Sequence, residues 1–148
     1  MSADILTIII SSFYSLIFEI SLMLNNNLIF IPLILLIAYL FEKSRGVFFI
    51  IFSGLMTYIA KYMFFVERAC QGLAFCLSDP AFPSGHAALA FSLAVLRLNK
   101  KDFLIFFLFA LFVSYTRILI SAHTINEVIA GLAMAIINME LWWCIWKK

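Results

Sequence analysis

Six apolar runs separated by short polar breaks fill this chain and confine it to one kind of architecture, a bundle of membrane helices. The runs are Ile5–Leu24, closed by Asn25-Asn26-Asn27; Leu28–Phe41, closed by Glu42-Lys43-Ser44-Arg45-Gly46; and Val47–Val66. After a longer connection, Glu67–Pro83, come Ser84–Leu98, Phe103–Ile120 and, beyond a break at Ser121–Thr124, a last run to about Trp146. Hydrophobic residues make up 66% of the 148 and charged residues 12%. Soluble domains carry roughly 45–50% and 25%, so a soluble core does not account for this composition. The expected fold is all-α: a single-domain, six-helix integral membrane bundle. The second and fourth runs are shorter than the ~20 residues of a full span, so they extend into their flanks or the bilayer thins around them.

Lys and Arg give the orientation. With both termini cytoplasmic, Lys43, Arg45, Arg97, Lys100, Lys101, Lys147 and Lys148 lie inside, and Lys61, Arg68 and Arg117 lie outside. The N-terminus has no basic stretch before its first apolar run, so that run reads as a retained span rather than a cleaved signal peptide. The expected location is a plasma (inner) membrane, multi-pass, with the polar islands on the non-cytoplasmic side. A net charge of +2 is too small to argue for nucleic acid. Cys70 and Cys76 share the long connection: they pair if it faces an oxidising compartment, and otherwise are small apolar residues. No spacing of Cys or His suggests a metal, and no cofactor is implied.

The three outside cations violate the positive-inside rule, so another cause holds them there. Each belongs to a polar island. Lys61 and Arg68 are seven apart, nearly two helical turns, which puts them on one side about 10 Å apart, able to bracket a phosphate; the alternative is snorkelling at a helix end. Pro83-Ser84-Gly85-His86 reads as a helix start, with Ser84 as N-cap and the N–H groups of Ser84, Gly85 and His86 turned to the outer face as an anion site. Gly85 permits close approach to the backbone, and His86 titrates near neutrality and can donate a proton. Arg117 lies near the outer end of the fifth run. His123 and Glu127, four apart, share a face if the last helix starts near His123. A carboxylate on one imidazole nitrogen leaves the other free to attack phosphorus. Thr124-Ile125-Asn126-Glu127 also fits a capping box, giving Glu127 a competing structural role.

The order Lys-x6-Arg, Pro-Ser-Gly-His, Arg-x5-His-x3-acid resembles the three-part signature of the type 2 phosphatidic acid phosphatase superfamily, over roughly Lys61 to Gly131. The resemblance implies a metal-independent phosphatase with His123 as nucleophile, Glu127 as its orienting acid and His86 as general acid. Lys61, Arg68, Ser84, Gly85 and Arg117 are then the phosphate ligands. Three positions depart from the family pattern: Ala69 for Pro, Thr116 for Ser, and Glu127 for Asp. The last matters most, because Glu is one methylene longer and must fold back to reach the same ring nitrogen.

A site at the outer interface suits a lipid whose tail stays in the bilayer. The expected substrate is a lipid phosphate, with polyprenyl diphosphate ahead of phosphatidate and phosphatidylglycerol phosphate; membrane lipids are the other expected partners. Rival readings are a lipid-phosphate transporter or binding subunit, and an assembly protein with a dead site. Glu19, within the first run, is a candidate partner for an outer cation. Trp142, Trp143 and Trp146 beside the terminal lysines read as an interfacial anchor, and Gly131 with Ala135 as a small-residue packing pair.

Overall fold

A computed structural model describes the backbone of residues 2–68 and 79–146 and the side chains of 7–68 and 79–146; Cys70, Cys76 and Ala69 lie outside the described residues. Five helices and no strand are found among them: α1 (Ser2–Asn25), α2 (Asn27–Phe64), α3 (Gly85–Leu96), α4 (Phe103–Leu119) and α5 (Ile125–Trp146). Thr7–Asn25, α2 and α5 are long and apolar enough to cross a membrane, and α3 and α4 are shorter apolar helices. The polar triplet separates α1 from α2, and Asn26 caps α2 by accepting from the Leu28 N–H at 2.9 Å.

The expected six helices become five elements, because the second and third apolar runs join through Lys43 into α2. At 38 residues a straight α2 would measure about 57 Å, nearly twice a bilayer core. It is not straight. Lys43 has φ 57° and ψ −150°, well outside helical geometry. A Cβ placed on Gly46 would lie 2.8 Å from the Ala38 carbonyl oxygen, whereas residues eight apart along an unbroken helix are separated by about 12 Å. The chain therefore doubles back at Lys43, and only glycine fits where the two arms cross. Asn27 and Phe30 from one arm and Thr57 and Lys61 from the other line a common cavity.

The shortness of the fourth run also has a physical cause. α3 is the central helix, packed most extensively on α5 and α4 and then on α2. His86, Ala87, Ala88, Ala90, Phe91, Ser92, Leu93 and Ala94 are all buried. A helix enclosed by protein does not have to match the thickness of lipid. Its alanines let the neighbours approach closely, as small residues do between membrane helices. Ser53, Thr57 and Lys61 recur at four-residue spacing on the buried face of α2. Ser53 bonds the Ser92 hydroxyl at 2.7 Å and accepts from Asn138 at 2.9 Å, tying α2, α3 and α5 together below Lys61.

At the end of the bundle away from Lys61, Arg97 pairs with Asp102 and Glu42, and Arg45 stacks over Trp143 at 5.3 Å. Trp143 and Trp146 are exposed, as an anchor requires, but Trp142 is buried against Phe49 and Phe52. Glu19 is exposed and makes no ion pair among the described residues, so it does not serve an outer cation.

Candidate active site

The three polar islands come together at one end of the bundle, joined by specific bonds. The Ser84 N–H donates to the Glu127 carbonyl at 3.0 Å, linking the start of α3 to the start of α5. Gly131 allows this approach: a Cβ there would sit 2.8 Å from the Ser84 carbonyl oxygen and 3.0 Å from the Ala88 nitrogen. Gly131 thus packs helices, as expected, and the helix end it seats is the one bearing Ser84, Gly85 and His86.

His123 lies in the α4–α5 connection, 3% exposed. Its Nδ1 is 2.8 Å from Glu127 Oε2. The same oxygen accepts from the Thr124 N–H at 3.0 Å, while Thr124 Oγ1 accepts from the Glu127 N–H at 3.4 Å. The two roles read for Glu127 are therefore not alternatives. One oxygen closes the capping box and holds the imidazole, with the longer Glu chain folded back over the first turn. A carboxylate on Nδ1 fixes the proton there and leaves the Nε2 lone pair pointing away. Burial pushes this imidazole down to about 4; Glu127 opposes that, and Arg68, Arg117 and Lys61 reinforce it.

The Lys61–Arg68 pair departs from its expected geometry. α2 ends at Phe64, and Phe65 takes a left-handed conformation (φ 42°), so Arg68 is not on the helix. Lys61 is buried rather than snorkelling. Both cations grip one carboxylate, Asp79, with Lys61 Nζ at 2.5 Å from Oδ2 and Arg68 Nη2 at 2.7 Å from Oδ1, far closer together than 10 Å. Lys61 also donates to the Pro80 carbonyl and Arg68 Nε to that of Asp79. Arg68 Nη1 reaches the Ala122 carbonyl at 3.3 Å and stands 3.0 Å from His123 Nε2. Burial alone raises the Asp79 carboxyl, but Lys61 and Arg68 outweigh that and hold it below the usual range.

Arg117 is fully buried and differs from Arg68 in its bonding. Its Nη2 donates to the Asn25 side chain at the end of α1, while Nε and Nη1 have no partner among the described residues. Ser84 Oγ and His86 Nε2 are likewise buried without partners. Ser84 is the N-cap of α3 by backbone geometry, yet its hydroxyl caps nothing and its N–H is taken by Glu127. Of the three N–H groups expected to form an anion site, those of Gly85 and His86 remain in the open first turn. His86 stacks on Phe30, ring centroids 4.4 Å apart, and lies within electrostatic reach of Arg117, His123, Arg68 and Lys61.

Asn25, Phe30 and Asp79 were not legible as site residues. Asn25 reads as a helix stop and Phe30 as one of many phenylalanines. Asp79 carried one available signal, since buried cations demand an acid nearby and it is one of two acids in the long connection.

Fold and site together define a membrane protein, helical throughout its described residues, with a buried cluster of three cations and two imidazoles at one end. The chain belongs to the PAP2 superfamily, whose model matches residues 46–148 and whose members are phosphatases. Its fold is similar to the crystal structure of Aquifex aeolicus LpxE, with a TM-score of 0.56, 25% sequence identity and 83% of each chain covered. No curated protein matches the chain. Family and fold support a lipid phosphatase.

Proposed function

We propose that this protein removes a phosphate group from a membrane lipid through a phosphohistidine at His123. The observation that carries this reading is that four of the seven buried side-chain polar atoms without partners among the described residues are Ser84 Oγ, His86 Nε2, and Nε and Nη1 of Arg117; the other three, Ser114 Oγ, Asn138 Oδ1 and Trp142 Nε1, lie along α4 and α5. Leaving such groups unsatisfied costs about 1–3 kcal/mol each. All four belong to the signature islands, and a phosphoryl group supplies the acceptors and the leaving oxygen that would satisfy them.

In this mechanism the His123 Nε2 lone pair attacks phosphorus as the bond to the lipid oxygen breaks, and His86 gives that oxygen its proton. Glu127 stabilises the cationic ring. Lys61, Arg68, Arg117, the Ser84 hydroxyl and the Gly85 N–H hold the equatorial oxygens, where charge stabilisation does most of the catalytic work. Water, deprotonated by His86, then attacks the phosphohistidine; the P–N bond breaks and inorganic phosphate leaves.

The lipid class rests on the surroundings. A cavity of about 140 Å³ runs from Lys61, Asp79 and Gly85 along Phe30, Ile31 and Leu89, apolar walls suited to a hydrocarbon chain. We place the pocket at the non-cytoplasmic face and both termini in the cytoplasm, because Lys43, Arg45, Arg97, Lys100 and Lys101 cluster away from it. Polyprenyl diphosphate leads among substrates, ahead of phosphatidate and phosphatidylglycerol phosphate.

Phosphate release by purified protein in detergent, with EDTA present, is expected from at least one of these three lipids. Binding of all three without release would sink the phosphatase reading in favour of a carrier. The His123 environment also sets a pH dependence. Attack needs the neutral ring, and the ring protonates only near pH 4. The acid limb of kcat/KM is therefore expected near 4 rather than in the ordinary histidine range around 6.5; an acid limb at 6 to 7 would contradict the nucleophile's described surroundings.

A further inference from the structure

Asp79 belongs to none of the signature islands, yet its carboxylate occupies two of the three cations meant for substrate. We propose that Asp79 is a built-in competitor for the phosphate, a gate that latches Lys61 and Arg68 and keeps Arg68 over the nucleophile until a phosphoryl group displaces it. The inference rests on the phosphatase reading.

The argument begins with the contrast between the two arginines. A guanidinium has five N–H donors. Arg117 spends one on Asn25 and leaves Nε and Nη1 unpartnered. Arg68 spends Nε and Nη2 on Asp79 and Nη1 on Ala122 and His123. One arginine is open to an anion and the other is closed by an internal one.

The two oxygens of Asp79 are divided between Lys61 and Arg68, as two oxygens of a phosphoryl group would be. Held this way, Arg68 directs Nη1 at His123 Nε2, the lone pair that must attack. The latched state is therefore unreactive, since that lone pair is already engaged. A dianionic phosphoryl group offers the cations more charge and more acceptors than a carboxylate. Once Arg68 turns to it, Nε2 is freed at the moment phosphorus arrives.

Burial shows which partner moves. The Lys61 and Arg68 side chains are 6% and 3% exposed, whereas that of Asp79 is 30% exposed. The carboxylate is the open partner, and the two cations are nearly enclosed. The gate opens outward, and the cations stay to receive the substrate.

The test is inorganic phosphate as a competitive inhibitor and, independently, its direct binding to the enzyme in detergent. In Asp79→Asn the competitor's charge is gone. Phosphate is expected to bind about tenfold more tightly, KM to fall with it, and kcat not to rise, because product leaves the same cations more slowly. A merely structural tie would loosen phosphate binding instead, so unchanged or weaker binding in Asp79→Asn overturns the proposal. Asp79→Ser serves where the first variant does not fold and is expected to tighten binding similarly. Failure of both to fold would show the carboxylate to be a structural brace and also overturn it. The two readings fail separately: a wild type that binds phosphate but releases none from any lipid sinks the phosphatase, and an active wild type with no tightening in either variant sinks the gate.

Discussion

Replacing His123 with alanine is expected to lower kcat for phosphate release by about 10⁴-fold or more, the scale seen when a nucleophile or its base is removed from a unit that works together. The fold should survive, because neither partner of the imidazole is abandoned. Glu127 Oε2 retains the Thr124 N–H, and Arg68 retains Asp79 and the Ala122 carbonyl. Phosphate binding should persist for the same reason, since Lys61, Arg68 and Arg117 are untouched. Single-turnover assays with radiolabelled substrate check the chemistry directly: wild type should trap label on the protein in an acid-labile form, and the variant should trap none. A variant within tenfold of wild type would remove His123 from the nucleophile's role.

The second large effect comes from one methyl group. Gly131→Ala places a Cβ 2.8 Å from the Ser84 carbonyl oxygen, 3.0 Å from the Ala88 nitrogen and 3.0 Å from the Ala87 Cβ. None of these is the end of a flexible side chain, so α3 itself must retreat from α5. That stretches the Ser84–Glu127 bond and carries Ser84, Gly85 and His86 away from His123. A misplacement of about 1 Å costs a reaction on the order of 10²-fold, and overpacking costs about 1–3 kcal/mol of stability. The expected result is a folded protein with a somewhat lower melting temperature and kcat reduced about a hundredfold. Unchanged kcat would mean that the interface has slack the distances do not suggest.

Much of this was readable in advance, because membrane chains write their constraints plainly. The helical runs follow from the cost of unpaired backbone in lipid. Lys61, Arg68 and Arg117 are the cations that an orientation with both termini inside leaves over, and the structure gathers them with His86, His123 and Glu127. What escaped was tertiary. The turn at Lys43 hides the boundary between two runs because the coil continues through it, and no residue count shows a chain doubling back. The Lys61–Arg68 spacing reads as helical because nothing local in the sequence forbids a helix there, and only the left-handed Phe65 ends it. Asp79 has no periodic signature, because its meaning lies in contacts with residues 18 and 11 positions away.

The shared oxygen of Glu127 has a consequence for how the machinery is assembled. Starting α5 and aiming the imidazole are one event, confined to five consecutive residues. The ring is held by its own turn, so its alignment rests on a local contact, the kind that closes at the least cost in chain entropy. A frame slip at the start of the last helix would lose turn and ring together, so a properly begun α5 carries the His123 imidazole already aimed.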